Sequence, residues 1–268
     1  MSILDKLYNT KTGRIILRPL ISRPVSLLSG ALMDMRISKL LIRPFANANN
    51  ICLEDYVLDD IGCFNDFFCR RIKNGLRPVS LDPADFIAPC DGLLTVHRID
   101  AGKVMKAKQT TFNIRTLLRD TKLAKSFEGG YCLVFRLCVN HYHRYIWFDS
   151  GRAYKNRRIE GFYHTVQPVA LEGFPVFTEN CREYAVMDTE SFGRCVQMEV
   201  GAMLVGRIVN PEKDAHTVTR GEEKGRFEYG GSTIIVLVPK EKVRLRDDLL
   251  TSVTEIPVKM GEVLGHRR

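Results

Sequence analysis

Ser232 stands in Tyr229-Gly230-Gly231-Ser232-Thr233, at the mouth of the apolar run Ile234-Ile235-Val236-Leu237-Val238 that Pro239 closes. A run this short, β-branched and proline-terminated reads as a buried strand. The two preceding residues have no Cβ, so the backbone can bend there and a carbonyl can be approached closely. In that setting the Ser232 hydroxyl can attack the carbonyl of Gly231 and turn the amide into an ester. A base that then removes the serine α-proton expels the upstream chain by elimination, leaving dehydroalanine, which hydrolyses to a pyruvoyl group at a new N-terminus. The same letters also describe a glycine-marked bulge before an ordinary core strand. What decides is whether the chain supplies a base, an orienting acid and a substrate surface.

One acid candidate is Asp91, in the turn Ala88-Pro89-Cys90-Asp91-Gly92 ahead of the strand-like Leu93-Leu94-Thr95-Val96. Aspartate before glycine is usually turn chemistry alone, so Asp91 needs independent support. The base candidates come from a strand expected over Tyr131 to Val139, which delivers Asn140-His141-Tyr142-His143-Arg144-Tyr145 at its end. If that strand continues, His141 and His143 share one face and Tyr142 takes the other. A further histidine, His164, follows in Gly161-Phe162-Tyr163-His164-Thr165-Val166-Gln167-Pro168. Acidic and thiol ligands are not clustered beside these imidazoles, so no metal is expected.

The chain that must position these residues has 268, enough for one large domain with or without a small appendage. Apolar content of 45% and charged content of 26% are those of a folded protein. Eight cysteines contain no Cys-x-x-Cys pair and read as reduced, mostly buried thiols of a cytosolic protein. The net charge of +9 is unevenly placed: residues 1 to 45 carry eight cations against Asp5 and Asp34. Between them lie Ile16-Leu17, Leu20-Ile21, Leu27-Leu28, Leu32-Met33 and Leu40-Leu41-Ile42, as short helices broken near Pro19 and Pro24. Amphipathic material with basic flanks suits a membrane interface, although helices docked on a core with a solvated basic face give the same pattern. No stretch is long enough to span a bilayer. Nucleic acid is not expected, because stacking aromatics are scarce here and no binding motif appears.

Downstream, Phe64-Asn65-Asp66-Phe67-Phe68-Cys69-Arg70-Arg71-Ile72 reads as a core-packing helix with a charged exit. The last third reads as short strands and tight turns feeding the Gly-Gly-Ser-Thr step. Gly221 to Gly225 and the tail Val258-Lys259-Met260-Gly261 look like two turns of one kind, better explained by repeated hairpins than by a modified-lysine carrier site. The fold class expected is α+β, with amphipathic N-terminal helices before a compact β-rich domain of hairpin or barrel-sandwich type. Its divisions are a membrane-associating segment, 1–50, and a catalytic domain, 51–268.

Taken in order, Phe64-Asn65-Asp66-Phe67-Phe68, Pro89-Cys90-Asp91-Gly92, Tyr142-His143-Arg144, Val166-Gln167-Pro168, Val200-Gly201-Ala202 with Val205-Gly206, Gly221 to Phe227 and Gly230-Gly231-Ser232-Thr233 resemble the phosphatidylserine decarboxylase family. The family is one of self-processing pyruvoyl enzymes, and the resemblance spans roughly residues 60 to 240. It implies cleavage between Gly231 and Ser232, a large chain 1–231, and a small chain 232–268 beginning with the pyruvoyl group. It also implies that Asp91 and a histidine form a charge-relay set with Ser232. The implied reaction takes phosphatidylserine from an anionic membrane surface through a Schiff base on the pyruvoyl carbonyl, with His143 as proton donor, to phosphatidylethanolamine and CO2. No soluble cofactor is implied. The expected location is peripheral, on the cytoplasmic face of a membrane; a homodimer is compatible with it. One position departs: many members have a second histidine three residues after that of Tyr-His-Arg, where this chain has Ile146. The expectation is that His164 fills the vacated space from a neighbouring strand. Two other readings stay open, a pyruvoyl decarboxylase of a soluble amino acid and an unprocessed β-rich membrane adaptor.

Overall fold

The computed structural model describes residues 3–100, 105–107, 110–171, 174–203, 207–230 and 232–268. Gly231 and the Val205-Gly206 pair fall outside them. The Ser232–Val238 strand is buried at every position and lies inside a nine-stranded antiparallel sheet, between Gly193–Val200 and Tyr131–Leu137. Register sets Ser232 opposite Leu137 and Thr233 opposite both Arg136 and Val200. Burying each large apolar side chain of such a strand contributes about 1.5–3 kcal/mol, which is why this run anchors the sheet. Outward from it the sheet continues to Arg182–Thr189, Gly151–Ala153 and His216–Val218 on one side, and to Gly92–Arg98 and Ile256–Val258 on the other. Helices and strands together give an α+β, β-rich fold, and the described sheets close no barrel.

Two small sheets flank the large one, and they are related to each other. Asp85–Ile87 pairs with Val263–Arg267, and Arg144–Ile146 pairs with Glu223–Phe227. Ala88 exchanges backbone hydrogen bonds with Gly261 and Glu262 as Trp147 does with Gly221 and Glu222. The Glu262 carboxylate accepts from Lys259 N–H, and Glu222 accepts from Thr219 N–H, each at 3.0 Å. Gly221 and Gly261 have φ of 82° and 84°, a conformation glycine adopts without a Cβ penalty. The repeat seen in sequence is therefore real, but the turns do not close hairpins. Each carries the chain from the large sheet into a small one, because the flanking strands pair with different partners.

The N-terminal helices α1 (Ile3–Asn9), α2 (Lys11–Leu20), α3 (Arg23–Asp34) and α4 (Ile42–Ala48) dock mainly through small residues. Gly13, Ser26, Gly30, Ser38 and Ala46 are buried. A Cβ on Gly13 would stand 2.1 Å from the Lys6 carbonyl oxygen, so only glycine lets α1 and α2 meet. Tyr8, Leu17 and Ile21 join the main core. The large apolar side chains mostly face outward instead: Ile15, Leu28, Ile37 and Leu40 are each at least 62% exposed. Among the described residues no single helix is long and apolar enough to cross a membrane, while α2 and α3, bent by 62°, pass by length and composition as a pair.

Candidate active site

Helix α5 (Phe64–Phe68) forms because Cys63 caps it, with Asp66 returning a bond to the cap backbone. It buries Phe64, Phe67 and Phe68, and its polar edge faces the approach to Ser232. Asn65 Oδ1 accepts from Tyr229 N–H at 3.0 Å, while its Nδ2 donates to the Gly30 carbonyl and to Asp34. Phe64 and Phe68 meet the Tyr229 ring edge-on at 5.0 and 5.4 Å. The Cys69 thiol donates to the Phe227 carbonyl. The helix thus fixes the chain from Phe227 to Gly230, which has φ of 129°, just before the strand begins.

Ser232 is fully buried, and its Oγ has no hydrogen-bond partner. An orphaned buried hydroxyl costs about 1–3 kcal/mol, a cost that natural cores rarely carry without a reason. His143 is also fully buried, with Nε2 unpartnered. Its ring lies 4.0 Å from that of Phe68, the residue that also packs Tyr229, and its carbonyl accepts from Phe227 N–H. Its Nδ1 stands 2.9 Å from the His141 carbonyl oxygen, which can only accept. The neutral ring therefore carries its proton on Nδ1 and a free lone pair on Nε2. Burial first, then the charges of Arg70 and His141, hold its pKa well below 6.5, so this lone pair is available at neutral pH.

The strand expected to run through Val139 ends at Leu137, and His141 and His143 sit in the irregular turn before Arg144–Ile146. They are therefore not alternate residues of one strand. Arg70 shapes this turn. It is 2% exposed, not part of a charged exit, and lies 4.2 Å from the Tyr56 ring and 4.9 Å from that of Phe67. Its guanidinium donates to the carbonyls of Phe67, Asn140 and His141. Arg70 also lines a cavity of about 660 Å³ with Asn65, Cys69, Arg144 and Arg226.

Asp91 is buried, but its carboxylate is not bonded to a histidine. Arg77 grips it with two bonds of 2.7 and 2.6 Å, and Met260 N–H donates to it at 2.9 Å. The charge of Asp91 draws the His141 pKa upward, against a larger lowering by burial. His164 is buried between α1 and the segment around Glu179. Its ring stacks on Phe174 at 5.0 Å, with Nδ1 3.4 Å from the Tyr8 hydroxyl and Nε2 3.4 Å from Glu179. Its backbone is tied through the Asn180 amide to Gly201, next to the Thr233 partner Val200. Burial lowers its pKa to about 4. The structure thus joins His143 to the approach to Ser232 through Phe68 and Phe227, ties Asp91 to Arg77 and Met260, and seats His164 against α1. Among the described residues no cluster of three or more potential ligands could hold a metal.

The phosphatidylserine decarboxylase family model matches residues 64–266 of this chain. The chain belongs to the phosphatidylserine decarboxylase family. It is 38% identical to phosphatidylserine decarboxylase proenzyme 2 of Clostridium acetobutylicum, over 98% of this chain and 91% of that protein. The proenzyme of Ruminiclostridium cellulolyticum is 36% identical over 98% and 91%. That of Clostridium kluyveri is 38% identical over 96% and 90%. Sequence reasoning did not single out Asn65, Arg70 or Arg77, whose bonds hold Tyr229, the turn at His141 and Asp91. Asn65 and Arg70 lay within a motif already noticed, but Arg77 meets Asp91 only through the fold.

Proposed function

We propose that this chain is a self-processing decarboxylase of phosphatidylserine, cut between Gly231 and Ser232 and yielding phosphatidylethanolamine. The reading is carried by two buried, unpartnered atoms: Ser232 Oγ at the head of the central strand, and His143 Nε2 on a ring that packs against Phe68, which also packs Tyr229. A hydroxyl with no competing partner and a buried neutral imidazole with a free lone pair suit proton removal by that imidazole. His143 Nε2 accepts the Ser232 hydroxyl proton as Oγ bonds to the Gly231 carbonyl carbon. The C–N bond then breaks and the proton passes to the Ser232 nitrogen. Loss of the Ser232 α-proton and of the ester oxygen separates the chains, and water completes the conversion to a pyruvoyl end and ammonia.

The two orphaned atoms fit a pyruvoyl group at residue 232, whose carbonyl would condense with the substrate amine and accept the electron pair released with CO2. Strand pairing with Leu137 and Val200 holds residues 232 and 233 in place. Phe68 packs against both the His143 and Tyr229 rings, which supports a dry surrounding in which His143 would move a proton. The lipid reading rests on the outer face of the N-terminal helices, where exposed Ile15, Leu28, Ile37 and Leu40 alternate with Arg14, Arg18, Arg36 and Lys39. Exposed apolar side chains with basic neighbours favour a peripheral site on an anionic membrane. The test is incubation with vesicles containing phosphatidylserine, following phosphatidylethanolamine and CO2, beside Ser232→Ala and beside free serine. Formation by the unaltered protein alone supports the reading. Turnover by Ser232→Ala, or of free serine but not the lipid, would sink it.

A further inference from the structure

We propose that a basic pocket at the first turn of α3 is a seat for the phosphodiester of an anionic phospholipid. The pocket holds about 440 Å³ and is walled by α3, the strand Arg157–Ile159 and the chain from Arg207 to Lys213. Its wall carries Arg23, Arg158, Arg207 and Lys213 against Glu228 alone. Arg207 is already engaged, bonded to both Glu228 and Asp34. The other three keep free capacity. Lys213 Nζ has no partner among the described residues. Arg23 meets Glu160 only at 3.9 Å, on the same carboxylate oxygen that accepts from Arg158 Nε. Arg158 Nη2 donates to the Cys181 sulfur, while its Nη1 stands 3.9 Å from Glu183, too far to donate.

Three cations brought by three separate segments to one concavity suit an anion with several acceptor oxygens, and guanidinium groups match phosphate with a fixed fork of donors. Leu27 decides the kind of phosphate. It lines the pocket one helical turn after Arg23, is 44% exposed, and leads along α3 to Leu28 and Leu32, 62% and 50% exposed. An apolar ridge at the lip of a cationic hollow gives acyl chains a surface beside the phosphate, which a free phosphate would leave unused. The pocket is continuous with the outer helical face assigned above to the membrane, and the inference adds to that face one discrete lipid site. It needs neither the cut at Ser232 nor turnover. The seat also adjoins the framework around Tyr229, because Arg207 donates to Asp34, Asp34 accepts from Asn65, and Asn65 accepts from Tyr229 N–H.

The probe is dihexanoyl phosphatidylglycerol below its micelle-forming concentration, titrated calorimetrically into the purified protein. It has no amine, so pyruvoyl chemistry cannot consume it. One saturable site is expected. Arg23→Gln with Lys213→Gln should weaken it about tenfold or more, since each such cation near an anionic lipid contributes about fivefold. Arg244→Gln with Lys259→Gln removes the same charge from exposed positions outside the pocket and should leave binding unchanged. Inorganic phosphate alone should bind at least about tenfold more weakly than the lipid, the difference that about two buried methylenes provide. Absence of a saturable site, no loss in the pocket variant, equal loss in both double variants, or phosphate binding as tightly as the lipid overturns the inference. The decarboxylase reading is decided separately, by the cut and by turnover of phosphatidylserine vesicles.

Discussion

Replacing Lys224 by methionine tests how the interior behind Ser232 is held. Lys224 Nζ lies 2.6 Å from Glu199 Oε2, with side chains 1% and 0% exposed, and Glu199 is the strand partner of Ile234. At an effective dielectric of about 20 the attraction is roughly 6 kcal/mol, and desolvating two ions offsets much of it. Removing the cation alone leaves a carboxylate with Asn210 as donor to Oε2 and no partner at Oε1, a loss of about 3–5 kcal/mol. Protonation limits the loss. Burial already raises the Glu199 pKa even with Lys224 beside it, and without Lys224 it rises further. A carboxyl raised in the native state destabilises as pH climbs above its unfolded value, so the deficit should shrink toward acid. Thermal unfolding on a Ser232→Ala background, which keeps one chain, should show a fall in Tm of about 10 °C at neutral pH. Lys224→Met with Glu199→Gln should recover most of it. A fall below about 2 °C, or a double variant no better than the single one, would refute this account.

Arg70→Met removes a positive charge that lowers the His143 pKa, so the acid limb of processing should move to higher pH. Arg70→Lys should retain the limb, and coincident pH profiles for all three proteins would contradict the assignment. His164 has a native pKa of about 4, with Tyr8 and Glu179 facing it. Its contribution should be whole above about pH 6.5 and decline as pH falls toward 4, by at most about 3 kcal/mol and by less where Glu179 attracts the imidazolium. His164→Gln should flatten acid unfolding between those limits; an unchanged midpoint would count against it. Leu28→Glu with Leu40→Glu, both on the outer helical face, should weaken flotation with anionic vesicles at least about tenfold while leaving cleavage unaltered. Equal flotation would remove the membrane role of that face.

Ser232 was legible because its signal is local: two glycines, a short apolar run and a proline mark a buried strand wherever it pairs. The amphipathic character of α2 and α3 was legible for the same reason, but not that Ile15 and Ile16 of α2 and Leu27, Leu28 and Leu32 of α3 face outward. The arrangement of His141 and His143 was not legible, because period-two reasoning assumes that a strand continues, and the chain turns after Leu137. Asp91 read as a turn residue because its partner Arg77 lies 14 positions away with no periodic relation to it. The burial of Arg70 was equally hidden. Its stacking on Tyr56 and its bonds to Asn140 and His141 exist only after three segments meet. The turns at Gly221 and Gly261 show the same limit, since their glycines declare a turn but not which sheet receives the next strand.

The central claim is that the peptide entering Ser232 breaks by the chain's own chemistry. Intact-mass measurement of the purified protein beside Ser232→Ala tests it most directly. The account predicts two chains for the unaltered protein, residues 1–231 and a 37-residue fragment from 232 to 268 with a pyruvoyl end, and one chain of 30.6 kDa for the variant. A single uncut chain that persists on storage, or a cut that survives Ser232→Ala, would contradict it.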